Sequence, residues 1–280
     1  MEHPGMLLCT DLDRTLLPNG DAPESPDAMQ HLKNLLARDD VFLAFVTGRD
    51  RRLVEDAIND FQLPGPDYVI GDVGTNIYSV NDTEWELWND WHDEIRHSWR
   101  GLSHQELNDS TANIEGLRIQ EDVKQNLYKL SYYASGDIDA NKMLEAVQHR
   151  LQTLDIEYNV VWSVDETRNL GLLDILPAAA SKYHAIDYLL RKTGSSIDNT
   201  LYAGDSGNDI DVLCSPIRSV LVANATNEVR QQAKILAQSR GHEGDLYLAR
   251  GGFLGMNGNY AAGILEGVNH YYPELLRAKE

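Results

Sequence analysis

The feature that most constrains this chain is a rhythm. Short apolar runs each end in a polar motif, and helical periodicity follows. Met6-Leu7-Leu8-Cys9-Thr10 reads as a buried strand running into Asp11-Leu12-Asp13. Pro18-Asn19-Gly20-Asp21 is turn chemistry, and Ser25-Pro26 is suited to open a helix whose apolar positions are Met29, Leu32, Leu35 and Leu36. Val41 to Val46 is a second buried run, ending in Thr47-Gly48-Arg49-Asp50. Leu53, Val54, Ala57 and Ile58 then mark a helix, and Tyr68-Val69-Ile70 a third strand. Strands alternating with helices in this way call for crossover connections and a parallel sheet.

The rhythm breaks after about Val80. Trp85, Trp88, His92, Ile95 and Trp99 fall at helical spacing, and 127–134 alternates like a half-buried strand with Leu127, Lys129, Ser131 and Tyr133 on one face. A helix is expected over 140–154 and strands over 158–164 and 170–176. The βα rhythm returns with a helix at 179–192, a strand at 200–203, a short helix after Asp209, a strand at 220–222 and helices at 227–238 and 261–270. The expected fold class is α/β. A Rossmann-like parallel-sheet core is built from 1–80 and 178–280, and 81–177 forms an inserted α+β cap domain.

Composition narrows the function classes. The 280 residues carry 44 acidic and 24 basic side chains, a formal net charge of −20. Such a surface repels a phosphodiester backbone and speaks against nucleic acid as a partner. Asp outnumbers Glu and Arg outnumbers Lys, a texture common to ordinary soluble surfaces and to salt-adapted ones. No apolar run approaches the ~20 residues that span a bilayer, and the first residues carry no basic or apolar leader. Cys9 and Cys214 lie too far apart in sequence for a disulfide framework or a metal knuckle, and the nine histidines form no HxxxH or HExxH pair. A cytoplasmic protein, with no membrane role and no zinc site, is the expectation.

The chemistry-bearing residues stand at strand ends, where open parallel sheets bind ligands. Asp11 and Asp13, two apart in an extended segment, are expected to face one small space. That is costly unless a cation sits between them or one carboxyl keeps its proton. Gly204-Asp205-Ser206-Gly207-Asn208-Asp209 follows another strand and reads either as an Asx-rich turn or as a second acidic contribution to the same edge. Asp11, Asp13 and Asp205 together make a hard, all-oxygen pocket suited to Mg²⁺. Thr47 and Gly48, just before a helix, read either as an ordinary cap or as a phosphate grip made of a hydroxyl and the helix terminus. Lys182 is either surface or the cation that offsets carboxylates and a dianionic substrate.

Taken in chain order, Asp-x-Asp-x-Thr at 11–15, Thr-Gly-Arg at 47–49, Lys182 and Gly-Asp-x-x-Asn-Asp at 204–209 resemble the haloacid dehalogenase superfamily of phosphohydrolases. The insertion resembles that superfamily's type II cap. Val73-Gly74-Thr75-Asn76-Ile77-Tyr78, Lys129-Leu130-Ser131-Tyr132, Leu173-Asp174-Ile175-Leu176-Pro177 and Ala262-Gly263-Ile264-Leu265-Glu266 extend the likeness to the sucrose-6-phosphate phosphatase family, from about Met6 to Tyr272. The resemblance implies that Asp11 is the nucleophile and Asp13 the general acid and base. It implies Mg²⁺ on Asp11, the Asp13 carbonyl and Asp205, supported by Asp209. Thr47, Gly48, Lys182 and Asn208 would bind the phosphoryl group, with Thr15 in support. The implied reaction is hydrolysis of a sugar phosphate, sucrose 6-phosphate first. Phosphatases of mannosyl-3-phosphoglycerate or glucosyl-type phosphates, and hexose phosphomutases, share the scaffold. A non-enzymatic partner domain of a glycosyltransferase is a third reading, against which the intact motifs count. Association with a sucrose-phosphate synthase-type glycosyltransferase belongs to the same set of expectations. In the cap, Lys129, Tyr133, Asn169 and the 165–169 loop are candidates for reading sugar hydroxyls or are plain surface. The tryptophan stripe is expected to be cap core.

Overall fold

The computed structural model describes residues 5–82, 84–165 and 168–277. In chain order the regular elements begin with β1 (Met6–Thr10), α1 (Ala28–Leu36), β2 (Val41–Val46), α2 (Arg51–Asp60), β3 (Tyr68–Gly71), β4 (Asn76–Asn81) and β5 (Glu84–Leu87). They continue with α3 (Asn89–Ile95), α4 (His104–Thr111), β6 (Leu117–Ile119), β7 (Leu130–Ser135), α5 (Ala140–Leu151), β8 (Tyr158–Asp165) and β9 (Leu170–Pro177). The chain closes with α6 (Lys182–Thr193), β10 (Thr200–Gly204), α7 (Ile210–Leu213), β11 (Arg218–Leu221), α8 (Asn227–Arg240), β12 (Leu246–Leu248) and α9 (Ala261–Tyr271). Two compact units result: Met1–Leu87 with Lys182–Glu280, and Trp88–Ser181.

The first unit is an eight-stranded sheet in the order β12-β11-β10-β1-β2-β3-β4-β5. Strands from β12 to β3 pair in parallel, while β4 and β5 add antiparallel to one edge. All five residues of β1 are buried, as expected of a central strand covered on both faces, which must read as a continuous apolar run rather than an alternation. Leu8, Leu43, Phe45, Val69 and Leu201 from the strands join Leu32 and Leu35 of α1, Val54 of α2 and Ile264 and Leu265 of α9 in one buried cluster. Because β1 is flanked by β2 and β10, the loops after these three strands meet at one edge of the sheet.

The second unit is a four-stranded antiparallel sheet, β6-β7-β9-β8. Leu130, Tyr132 and Ala134 of β7 and Leu173 and Ile175 of β9 pack with Leu107 of α4 and Met143, Val147 and Leu151 of α5. The alternate residues of β7 are therefore committed to the opposite face.

Two sequence expectations need correction. Trp85 belongs to strand β5, and the helix begins only at Asn89. The apparent helical stripe runs from a strand through the cap position at Trp88 into α3, which holds only its His92 and Ile95. Trp99 alone of that tryptophan set lies in the second unit's buried cluster; Trp91, off the stripe, is also 1% exposed. Ser25 does not cap α1, which starts at Ala28 with Asp27 in the cap position. The Ser25 hydroxyl instead accepts a hydrogen bond from the Asn257 N–H at 3.0 Å, a long-range use that local pattern does not reveal. No helix among the described residues is long and apolar enough to cross a membrane.

Candidate active site

The edge of the sheet beyond β1 and β10 gathers an acidic cluster around one lysine. Lys182, the first residue of α6, is 4% exposed. Its Nζ donates to Asp11 Oδ1 at 2.7 Å, to Asp209 Oδ1 at 2.7 Å and to Asn208 Oδ1 at 3.2 Å. An ammonium has three protons, so all three are engaged. Carboxylate oxygens of Asp11, Asp205 and Asp209 lie within 4.8 Å of one another, and all three residues are buried.

Local backbone explains why these side chains converge. β1 ends at Thr10, and the Asp11 N–H continues the ladder to the Ala203 carbonyl at 2.9 Å. Asp205 follows β10 directly. Asp209 folds back under that turn, where its Oδ2 accepts from the N–H groups of Asp205 and Ser206, both at 3.0 Å. Gly204 permits this approach: a Cβ there would stand 2.6 Å from the Asp209 Cγ. The remaining Asp209 oxygen, Oδ1, takes Lys182 and also the Tyr202 hydroxyl at 2.5 Å. Asp209 is thus saturated with donors, while Asp11 Oδ2 takes no hydrogen bond among the described residues. Among the described residues the Asp205 carboxylate has the long Thr15 Oγ1 contact at 3.4 Å and Arg14 Nε at 3.5 Å.

The electrostatics follow from this geometry. Burial pushes the Asp11 carboxyl well up, and Asp209 and Asp205 add to the push while Lys182 pulls against it. Burial and the charge of Asp209 raise Asp205 to about 7, despite Arg14 and Lys182. Asp209 moves the other way: burial opposes, but Lys182, Tyr202 and the Ser206 N–H hold it below the usual carboxylate range. Lys182 is held charged, because Asp11 and Asp209 outweigh the burial that disfavours its ammonium. One ammonium facing three buried carboxylates leaves Asp11 and Asp205 short of positive charge.

Asp13 does not share that space. Its carboxylate is outside the cluster and is gripped by Arg49, Nε to Oδ2 at 2.8 Å and Nη2 to Oδ1 at 2.6 Å, with Asn19 Nδ2 on Oδ1 at 2.7 Å. Asp13 lies three residues beyond the end of β1, and the chain turns sharply right after it at Arg14, where φ is +60°. The expected clash of Asp11 and Asp13 is therefore avoided by giving each a protein cation of its own. Thr47 is buried at the end of β2, and its Oγ1 accepts from the Arg49 N–H at 3.2 Å. The helix-terminus grip expected behind Thr47 and Gly48 is altered. α2 begins at Arg51, and Asp50 caps it by accepting from the Leu53 N–H at 3.0 Å.

In the second unit, Ser131 and Tyr133 occupy the face of β7 opposite the apolar cluster, Lys129 directly precedes the strand, and all three are buried. Ser131 Oγ donates to Asp174 Oδ1 at 2.5 Å, its N–H donates to Gln125 Oε1 at 2.8 Å, and the Tyr133 hydroxyl donates to Glu121 at 2.8 Å. Asn169 lies exposed in the β8–β9 turn with φ of +49°. Within the 165–169 loop, Glu166 and Thr167 are outside the described residues. Sequence reasoning missed Tyr202, Arg49 as the partner of Asp13, and Asp174. Tyr202 gives no signal in an apolar strand. Asp174, at an alternating position of a strand, does.

A parallel sheet with an aspartate after its central strand, a buried lysine and a second acidic loop at the same edge defines a phosphatase of the haloacid dehalogenase-like class. The chain belongs to the sucrose-6F-phosphate phosphohydrolase family, whose pattern matches residues 4–272. A HAD-like hydrolase of Nitrosococcus oceani is 49% identical over 269 residues, covering 96% of this chain and 72% of that one. Mannosylfructose-phosphate phosphatase of Agrobacterium fabrum is 30% identical, covering 96% and 97%. The chain spans about half the length (52%) of the tobacco sucrose-phosphatase it matches. The crystal structure of the Synechocystis sucrose-phosphatase, in complex with sucrose and phosphate, superposes with a TM-score of 0.75 at 27% identity, covering 97% and 98%.

Proposed function

We propose that this chain is a Mg²⁺-dependent phosphatase of a sugar phosphate, with sucrose 6-phosphate the first candidate and hydrolysis passing through an aspartyl-phosphate on Asp11. The observation that carries the reading is the pairing of Lys182 with Asp11 beside an unsaturated, all-oxygen acidic pocket. That donor set fits Mg²⁺, which takes one or two carboxylates and leaves room for phosphate oxygens. Asp11, Asp205 and the Asp13 carbonyl would hold it. Asp209, already saturated, would fix Lys182 and the 204–209 turn. Once bound, the ion would screen negative charge on the phosphoryl group.

The chain's own residues supply the rest. Asp11 attacks phosphorus, and the bond from phosphorus to the sugar oxygen breaks. Asp13, which Arg49 and Asn19 hold ionised against burial, must first take up a proton from solvent, which it then donates to that oxygen. A water then gives a proton to Asp13 and attacks phosphorus, and Asp11 is released with inorganic phosphate. Thr47 Oγ1, whose lone pair already accepts from Arg49, donates to no group among the described residues and can offer its proton to a phosphoryl oxygen. Lys182 keeps its charge through both steps. Lys129, Ser131 and Tyr133 supply polar groups for sugar recognition.

The Agrobacterium relative, matching both chains over nearly their full length, makes a mannosylfructose phosphate the second candidate. The test is inorganic phosphate release from a panel of sucrose 6-phosphate, mannosylfructose phosphate and hexose phosphates. The greatest kcat/KM identifies the substrate, and phosphate moved to another hydroxyl without release would indicate a mutase instead. Asp11→Asn should lower turnover on the best substrate by on the order of 10³-fold or more, about 4 kcal/mol of barrier. Wild-type-like release by that variant would remove Asp11 from the chemistry.

A further inference from the structure

Arg49 is fixed far more tightly than a surface arginine needs to be. Its Nε and Nη2 hold both oxygens of Asp13, and its Nη1 donates to the Leu53 carbonyl at 3.3 Å. Its own N–H is held by Thr47 Oγ1, and its carbonyl accepts from the Asp72 N–H at 2.9 Å. The guanidinium is thus anchored by backbone on one side and offers a planar fork to Asp13 on the other. The Asp13 side chain is 46% exposed and that of Arg49 23%. A pair so open to water contributes little to stability. What the fork does provide, together with the Asn19 amide on Oδ1, is a single orientation for the Asp13 carboxylate, with Arg49 the one group that holds both of its oxygens.

We propose that Arg49 is the positioning residue of Asp13: it fixes the carboxyl that serves the leaving oxygen, linking the loop after β2 to the loop after β1. This rests on the reading of Asp13 as general acid given above. The phosphoryl group itself is not the partner of Arg49 in this assignment. The guanidinium acts through Asp13, and its loss should be felt only where a proton must reach the departing oxygen.

Leaving-group dependence tests it. A sugar departs as a poor, alkoxide-like leaving group that needs the proton; p-nitrophenolate departs without one. Single-turnover cleavage of both esters is measured for wild type, Arg49→Ala, Arg49→Lys and Asp13→Asn. Arg49→Ala should slow sugar-phosphate cleavage by roughly 10- to 100-fold, within the range general acid catalysis supplies. The nitrophenolate burst should change less than about threefold. Arg49→Lys, which keeps the charge and loses the fork, should fall between. Should Arg49→Ala not fold, Arg49→Gln takes its place. Equal loss on both esters, or a matching rise in the inhibition constant for inorganic phosphate, would assign Arg49 to the phosphoryl group and overturn the proposal. Faster sugar-phosphate cleavage would overturn it too, since Arg49 would then be holding Asp13 away. If Asp13→Asn itself shows no leaving-group asymmetry, it is the general-acid reading that fails.

Discussion

Tyr202 shows how a residue can serve the site without any signature in the sequence. It lies in β10 opposite Cys9 of β1, fully buried, in a run that reads as pure core. Its hydroxyl donates to the same Asp209 oxygen that Lys182 holds. Tyr202→Phe keeps the ring and removes that donor. A hydrogen bond to a buried charge is worth about 1.5–3 kcal/mol, so the urea midpoint should fall accordingly while the denaturant slope stays unchanged. An unaltered midpoint would mean that Lys182 and the two N–H groups alone satisfy Asp209. At this scale the sequence made Asp11, Asp13, Asp205, Asp209 and Lys182 conspicuous through their order along the chain, although each alone also reads as a cap, a turn or surface. It concealed Tyr202 and the Arg49 fork. The first contact is set by the turn that folds Asp209 back under β10, 7 residues on, and the second by the adjacency of β1 and β2, 36 residues apart, and no local pattern encodes either.

Among elements, the β10 end and strand β7 carry the most specific consequences. β10 must end in a residue without a side chain, since any Cβ at 204 would meet Asp209. Gly204→Ala should push Asp209 off the N–H groups of Asp205 and Ser206 and loosen the turn that carries Asp205. Mg²⁺ affinity measured by titration calorimetry should fall by tenfold or more, about 1.4 kcal/mol. Affinity equal to wild type would show that the turn adapts. β7 was legible as a strand through its alternation, but its start was read too early. Leu127, 61% exposed, and the buried Lys129 both lie outside it, while Ser131 and Tyr133 keep the shared face that alternation required. Lys129→Ala should cut kcat/KM for the sugar phosphate by roughly 5- to 150-fold, the range given by an unpaired buried partner at ~1–3 kcal/mol. It should spare p-nitrophenyl phosphate. If both activities fall together, Lys129 supports the fold of its unit rather than sugar recognition. The tryptophan stripe was the misreading at this level, since five side chains at helical spacing can be produced by a strand, a turn and a helix in succession.

For the whole molecule, a net charge of −20 meets a site in which three buried carboxylates face one buried ammonium. The result is a coupling between pH, metal and stability. Asp205 is raised to about 7 in the folded chain, against 3.9 for an ordinary aspartate. Folding therefore takes up a proton there, and the metal-free protein loses stability as pH climbs from about 4 to about 7. Asp11, also pushed up, acts in the same direction. Asp209 and Asp13, both held low, act oppositely, and their contribution is lost only as pH falls below the ordinary carboxylate range. A divalent cation at Asp11 and Asp205 competes with the proton, so its binding should tighten as pH rises. Thermal unfolding in EDTA and in Mg²⁺, from pH 5 to pH 8 at fixed ionic strength, reads this directly. The Tm in EDTA should decline across that window, and the gain on adding Mg²⁺ should grow. Saturation at 100 times Kd contributes about 2.7 kcal/mol, or several degrees for a chain of this length. High salt should raise both curves by screening the surface without changing how their separation varies with pH. A separation that stays constant from pH 5 to pH 8 would mean that no proton leaves when the cation enters, and that Asp205 is not among its ligands.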